Sequence, residues 1–258
     1  MKIYCTRNEL NRAINNVSHS IPTRTPSPIL EGILIETKGD RMYLTATDTN
    51  MTIESNIPVD SEGDVSFVIE EKNFANIVNK LPEEEVLMDY NHEKNQIKIN
   101  SGKSSSTFNC FSADEFPRFN IGEGQKIILS KKDIKNLIRK TSFSASADEL
   151  NGVLTGILIE LGEGNLRMVA VDTFRMAIYN AKVDTDEKLS IVVPAKLLGE
   201  VSKIISDDDN DEQLFMEIVD NKVVMLFDNN KVILNTLNGN YIDYNRIIKA
   251  ETNIKIRT

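Results

Sequence analysis

The feature that most constrains this chain is a repeat of its own sequence at one fixed spacing. Ile29-Leu30-Glu31-Gly32-Ile33-Leu34-Ile35-Glu36 returns 124 residues later as Val153-Leu154-Thr155-Gly156-Ile157-Leu158-Ile159-Glu160. At the same offset Leu44-Thr45-Ala46-Thr47-Asp48-Thr49 returns as Met168-Val169-Ala170-Val171-Asp172-Thr173. Lys2-Ile3 and the NELNRAI pattern after it match Lys126-Ile127 and KDIKNLI, and Val68-Ile69 before a helical run matches Val192-Val193 before another. A period this long marks a duplicated domain, not a solenoid unit. The repeat implies one domain at 1–122, a second at 126–247 and a remainder at 248–258. Ile254-Lys255-Ile256 reads like the opening strand of a third copy, which predicts a parent chain of roughly 370 residues.

Within a copy the hydrophobic periods alternate. Residues 1–6 read as a strand and 7–20 as an amphipathic helix with Leu10, Ala13, Ile14 and Val17 on one face. Strands are expected at 29–37, 41–47, 51–58 and 64–69. A helix at 71–80 follows, with Phe74, Ile77, Val78 and Leu81 as its buried stripe and Pro82 as its stop. Strands at 85–91, 95–100 and 104–110 complete the copy, and the second copy carries its helices at 131–141 and 195–205. Turns such as His92-Glu93-Lys94-Asn95 and Asp228-Asn229-Asn230 pair neighbouring strands antiparallel. The fold class is therefore α+β: two repeated domains, each with two helices packed on antiparallel sheets.

With 258 residues, 40% of them hydrophobic, the chain can fill two ordinary cores. No apolar run is long enough to span a membrane, and Lys2, Arg7 and Glu9 interrupt the start where a secretory leader would be apolar. Cys5 and Cys110, in apolar alternating contexts, read as two buried thiols.

Catalytic constellations are hard to assemble from these residues. A metal site needs three or four converging ligands, and the two histidines are scattered. His19 is expected at a helix end and His92 in an exposed turn. There is no GxxxxGK loop, and Gly162-Glu163-Gly164 falls between strands. Asp48 and Asp172, each at a strand end, could serve two-metal chemistry only from separate domains. They read better as turn caps accepting backbone N–H groups. The run Asp207-Asp208-Asp209-Asn210-Asp211-Glu212 reads as a solvated hinge rather than a cation site. No enzyme emerges, and no cofactor is implied.

The net charge of −9 argues weakly against a nucleic-acid binder, but a sum is blind to distribution. Lys131, Lys132, Lys135, Arg139 and Lys140 fall in one short helical segment, with 132, 135 and 139 on one face. Lys196 and Lys203 share a face of the partner helix, and Lys72 and Lys80 take a similar face in the first copy beside Asn73 and Asn76. Two readings stay open: a solvated helix surface, or a sequence-blind track for a phosphate backbone.

Taken in order, several motifs resemble one family, the bacterial sliding clamps, or beta subunits of the replicative DNA polymerase. They are Pro28-Ile29-Leu30 with Gly32, Asn109-Cys110-Phe111-Ser112-Ala113-Asp114-Glu115-Phe116-Pro117 and Leu154-Thr155-Gly156. Ala170-Val171-Asp172-Thr173-Phe174-Arg175-Met176-Ala177, Val193-Pro194-Ala195-Lys196 and Asn238-Gly239-Asn240-Tyr241-Ile242-Asp243-Tyr244-Asn245-Arg246-Ile247 complete the set, which covers essentially the whole chain. The resemblance implies a cytoplasmic, nucleoid-associated processivity factor. Head-to-tail homodimers of three-domain protomers would close a ring around double-stranded DNA, helices inside and sheets outside. Its DNA-facing residues would be Arg24, Lys72, Lys80, Lys132, Lys135, Arg139, Lys196 and Lys203. A peptide groove for the polymerase catalytic subunit, the clamp loader and other proteins with a clamp-binding motif would be built from Leu154, Val171, Thr173, Phe174, Arg175, Met176, Ile242, Arg246 and Ile247.

The chain departs from the family pattern in several places. Val171 replaces a small hydroxyl, Phe174 a histidine or similar polar residue, and Ile242 a proline, which implies a greasier groove. Asn151 stands where some members carry a DNA-approaching arginine. Without a third domain the chain is expected not to close a ring and to be monomeric or weakly associated. The competing readings are a duplicated scaffold protein with merely solvated lysine helices and, behind it, a carboxylate-dependent metal enzyme.

Overall fold

The computed structural model describes residues 1–248 except 120, 123, 186 and 207–211. The strand expected near Ile254 and the acidic run Asp207–Asp211 lie outside the described residues. The first copy runs β1 (Lys2–Thr6), α1 (Arg7–Ser18), β2 (Gly32–Lys38), β3 (Arg41–Thr47), β4 (Met51–Pro58), the two-residue β5 (Asp60–Ser61), β6 (Ser66–Glu70), α2 (Glu71–Asn79), β7 (Glu85–Asn91), β8 (Gln96–Ser101) and β9 (Ser104–Ser112). The second runs β10 (Gln125–Ser130), α3 (Lys131–Thr141), β11 (Gly156–Gly162), β12 (Asn165–Val171), β13 (Met176–Lys182), β14 (Leu189–Pro194), α4 (Ala195–Ile204), β15 (Gln213–Val219), β16 (Lys222–Phe227) and β17 (Asn230–Asn235). A final turn, α5 (Asn245–Ile248), closes the described chain.

Identical local chemistry starts the first helix of each copy. Thr6 accepts from the Glu9 amide while its hydroxyl donates to the Glu9 carboxylate. Ser130 does the same with Asp133. These hydroxyl caps satisfy amide groups that a helix start otherwise leaves orphaned. Leu10, Ala13, Ile14 and Val17 of α1 are buried, and so are Ile134, Leu137, Ile138 and Thr141 at the equivalent positions of α3.

One expected strand begins late. Pro28–Glu31 is a 3-10 turn, and extended chain starts only at Gly32. The second copy has the same feature, a 3-10 segment over Glu149–Thr155 before Gly156. Both glycines sit where the backbone meets a neighbouring strand: a Cβ on Gly32 would lie 2.4 Å from Val68, and one on Gly156 2.5 Å from Val192. The apolar pair Ile29-Leu30 looks like strand in the sequence, but Pro28 holds a turn there.

The described strands form two antiparallel sheets. A four-stranded one has the order β13-β12-β11-β14. The other has thirteen strands in the order β10-β15-β16-β17-β4-β3-β2-β6-β9-β8-β7-β1-β5, and so passes from one copy into the other. The crossing is the β17–β4 ladder, with Asn230 opposite Ser55 and Leu234 opposite Met51. Side chains reinforce it: Asn56 donates to the Asn229 carbonyl, Arg41 to Asn56 and Asn229, and Asn16 to Asn230. Helices α1 and α2 pack together in the first copy and α3 and α4 in the second. One hydrophobic core runs through both copies.

Candidate functional site

Two surfaces follow from this frame, one on the helices and one on the outer face of the four-stranded sheet. On the helices, Lys72, Lys80, Lys132, Arg139, Lys196 and Lys203 are all exposed, as is Arg24 in the loop after α1. Lys135 is half-buried and donates to the Ile205 carbonyl at 3.0 Å. Arg139 donates to Asn136, and Lys203 to both oxygens of Glu200 at 2.8 and 2.9 Å. Asn151 is exposed and donates to the Ser146 hydroxyl.

Lys131 does not belong to this surface. Its side chain is 1% exposed and its ammonium bonds Glu212 and Asp228. Burial alone would lower its pKa, but the two carboxylate bonds more than offset that and the net shift is upward. A cleft of about 450 Å³ beside it, lined by Arg12, Asn16, Ile204 and Asn229 among others, joins the two helix pairs. At the same junction His19, the C-cap of α1, bonds Glu200 of α4 at 2.8 Å.

The outer face of the second sheet is apolar. Leu158, Val169, Val171 and Val192 cluster there with Tyr244, and Met176, Ile178, Leu237, Tyr241 and Ile242 pack against them. Of the residues expected in a groove, the structure thus unites Val171, Met176 and Ile242. Leu154 is half-buried at the head of β11, while Thr173, Phe174, Arg175, Arg246 and Ile247 are exposed. Phe174 is 95% exposed at the β12–β13 turn. Arg175 pairs with Asp172 and lies over the Phe143 ring, and Arg246 pairs with Asp243.

Asp172 accepts from the amides of Phe174 and Arg175 at 2.8 and 2.9 Å. Those bonds, together with the Arg175 guanidinium, hold its carboxyl below the ordinary range. Asp48 caps the equivalent turn through the amides of Asn50 and Met51. Among the described residues no three His, Cys, Asp or Glu side chains gather as a metal cluster. Cys5 is a buried free thiol and Cys110, expected to be buried too, is a half-buried one; burial pushes each up to about 12.

The residues that fasten this face were not apparent from the sequence. The segment 238–248 crosses the sheet as a strap held by two tyrosines. The Tyr241 hydroxyl accepts from the Val171 amide at 3.2 Å and reaches the Gly156 and Val169 carbonyls at 3.4 Å. Burial pushes its pKa up to about 12. The Tyr244 hydroxyl donates to Glu160 and accepts from Arg167. Each anchor lies about seventy or more positions from its partners, beyond the reach of any local pattern.

The chain matches the family profile of the DNA polymerase III beta subunit, N-terminal domain, over residues 1–120, and its central-domain profile over 128–243. It is 34% identical over 261 residues to the beta sliding clamp of Halalkalibacterium halodurans, covering 95% of this chain and 68% of that one. To the beta sliding clamp of Bacillus subtilis it is 33% identical over 268 residues, 99% of this chain and 70% of the other. The chain belongs to the beta sliding clamp family. The crystal structure of the Bacillus subtilis DNA polymerase sliding clamp superposes with a TM-score of 0.93 at 32% identity, over 97% of this chain and 68% of that one. A putative DNA polymerase III beta subunit from Eubacterium rectale gives 0.92 at 31%, over 97% and 69%. The α+β architecture is therefore the sliding-clamp fold, its repeat being the clamp domain.

Proposed function

We propose that this chain contributes its two domains to a ring-forming processivity clamp. It surrounds duplex DNA with its helices inward and tethers the replicative polymerase, the clamp loader and other motif-bearing proteins through the apolar face of the second copy. In this reading it is not an enzyme, and it acts as part of a head-to-tail homodimer in the cytoplasm, on the nucleoid.

The β17–β4 ladder carries the reading. It joins two copies of one domain edge to edge, and the same geometry can be reused. β13 is the repeat equivalent of β4, and its outer edge has no strand partner among the described residues. β9 is the equivalent of β17, and over 104–109 it is paired, among the described residues, on one side only. Two complementary edges at opposite ends suit further domains of this kind, because unpaired ladder groups favour strand addition. The greasy cluster around Val171, Met176 and Ile242 suits leucine or phenylalanine side chains of a short peptide.

Loading is the test. The full gene product is placed on a primed circular duplex by the cognate loader with ATP, and the circle is isolated and then cut. Retention on the circle with release after linearisation supports topological clamping. Loss from the uncut circle under active loading would overturn it and leave a scaffold with a solvated lysine surface. A fluorescent peptide carrying the leucine–phenylalanine motif tests the groove separately.

A further inference from the structure

The two copies present the same helix with different charge. At the 124-residue offset, Asn8, Asn11, Asn15 and Asn16 of α1 become Lys132, Lys135, Arg139 and Lys140 of α3. The buried stripes and caps of the two helices are in the same register, so each pair occupies the same place on the domain. Asn8, Asn15, Lys132 and Arg139 are all exposed. Arg12 is an exposed cation on α1, and α2 adds Lys72 and Lys80 among Asn73, Asn76 and Asn79.

Nearby carboxylates do not remove this contrast. Asp133 is engaged in the helix cap, and Glu9 caps α1 in the same way. Glu71 accepts from Ser18 on the first copy. Glu200 is shared between His19 and Lys203, so Lys203 is partly neutralised while Lys196 is exposed.

We infer that the duplex is held electrostatically by the second domain, along α3, and only lightly by the amide-covered α1 of the first. The inference rests on the DNA-clamp reading and adds an uneven grip to it. Lysine and arginine on phosphate release condensed counterions; an amide can hydrogen-bond phosphate but releases none. Helix α3 therefore contributes most to affinity and its salt dependence, and the first domain, with Arg12, Arg24, Lys72 and Lys80 as its exposed cations, contributes less.

The experiment uses the 258-residue chain and a fluorescent mixed-sequence 20-base-pair duplex, with binding followed by anisotropy across a sodium chloride series. K132N/R139N, which gives α3 the residues of α1, lowers the slope of log affinity against log salt by about 2. N8K/N15K, the reverse exchange, raises it by about the same amount, while K72N/K80N moves it less than K132N/R139N does. Equal slope changes from K72N/K80N and K132N/R139N, or none from K132N/R139N, would overturn the inference while leaving the DNA reading intact. Wild-type chain with no salt-dependent binding would also overturn the inference, while the DNA reading stands or falls on retention in the loading experiment.

Discussion

The outer faces of the two repeated sheets are built on one backbone and end in opposite chemistry. In the first copy β3 and β4 point Thr45, Thr47, Thr52 and Glu54 to positions that Val169, Val171, Met176 and Ile178 fill in the second. Leu34 and Val68 of the first face are covered by Ala113 and Phe116. Their equivalents Leu158 and Val192 lie under Leu237, Tyr241 and Tyr244. A small cleft beside the first face is lined by Thr45, Thr52, Glu54, Lys38 and Lys231. Burial raises the Glu54 carboxyl there, against the pull of Lys231 and Lys38. Duplication supplied the same platform twice, and four side chains make one outer face polar and the other apolar.

The largest effect is expected from giving the second face the glutamate of the first. Ile178→Glu places a carboxylate against the strap and should cost about 2–3 kcal/mol in a urea titration. Tyr244→Phe leaves Glu160 and Arg167 without their shared hydroxyl. It should cost about 1–2 kcal/mol, with faster amide exchange across 241–248 as its signature. Val171→Thr with Met176→Thr should weaken a leucine–phenylalanine peptide about tenfold, roughly 1.4 kcal/mol, by anisotropy. If affinity is unchanged, apolarity is not what separates the two faces. The reverse pair, Thr45→Val with Thr52→Met, should change stability by less than about 1 kcal/mol and create no second peptide site.

The smallest contrast lies on the helices, where Asn76 of α2 becomes Glu200 of α4. Burial alone would raise Glu200, but its bonds to Lys203 and His19 bring it below its ordinary 4.5. A depressed carboxyl stabilises the fold above that ordinary value, and the contribution is lost as pH falls through the lower folded one. Glu200→Gln should remove that acid sensitivity, a few tenths of a kcal/mol, from stability measured between neutral and acid pH.

Much of the fold is legible locally. The stripes Leu10–Val17 and Ile134–Thr141 follow the helical period, and the offset of 124 carries each element from one copy to the next. Legibility fails where distant residues decide. Lys131 has the sequence context of a surface lysine, and only Glu212 and Asp228, far along the chain, bury it. The apolar outer-face residues Val171 and Met176 stand out once the copies are aligned, since Thr47 and Thr52 are polar. Tyr241 and Tyr244 carry no such signal, because their partners lie on strands that the sheet alone brings near.

The β17–β4 ladder also bears on how this molecule can be taken apart. Cutting the chain between its copies would not release two finished globules. It would bare five residues of β4, Met51 to Ser55, as a flat row of amide and carbonyl groups. A separately expressed first copy should therefore be prone to aggregation through that strand, and a proline there should improve its yield. During synthesis that edge of the first copy stays unpaired until Asn230–Leu234 has emerged to cap it.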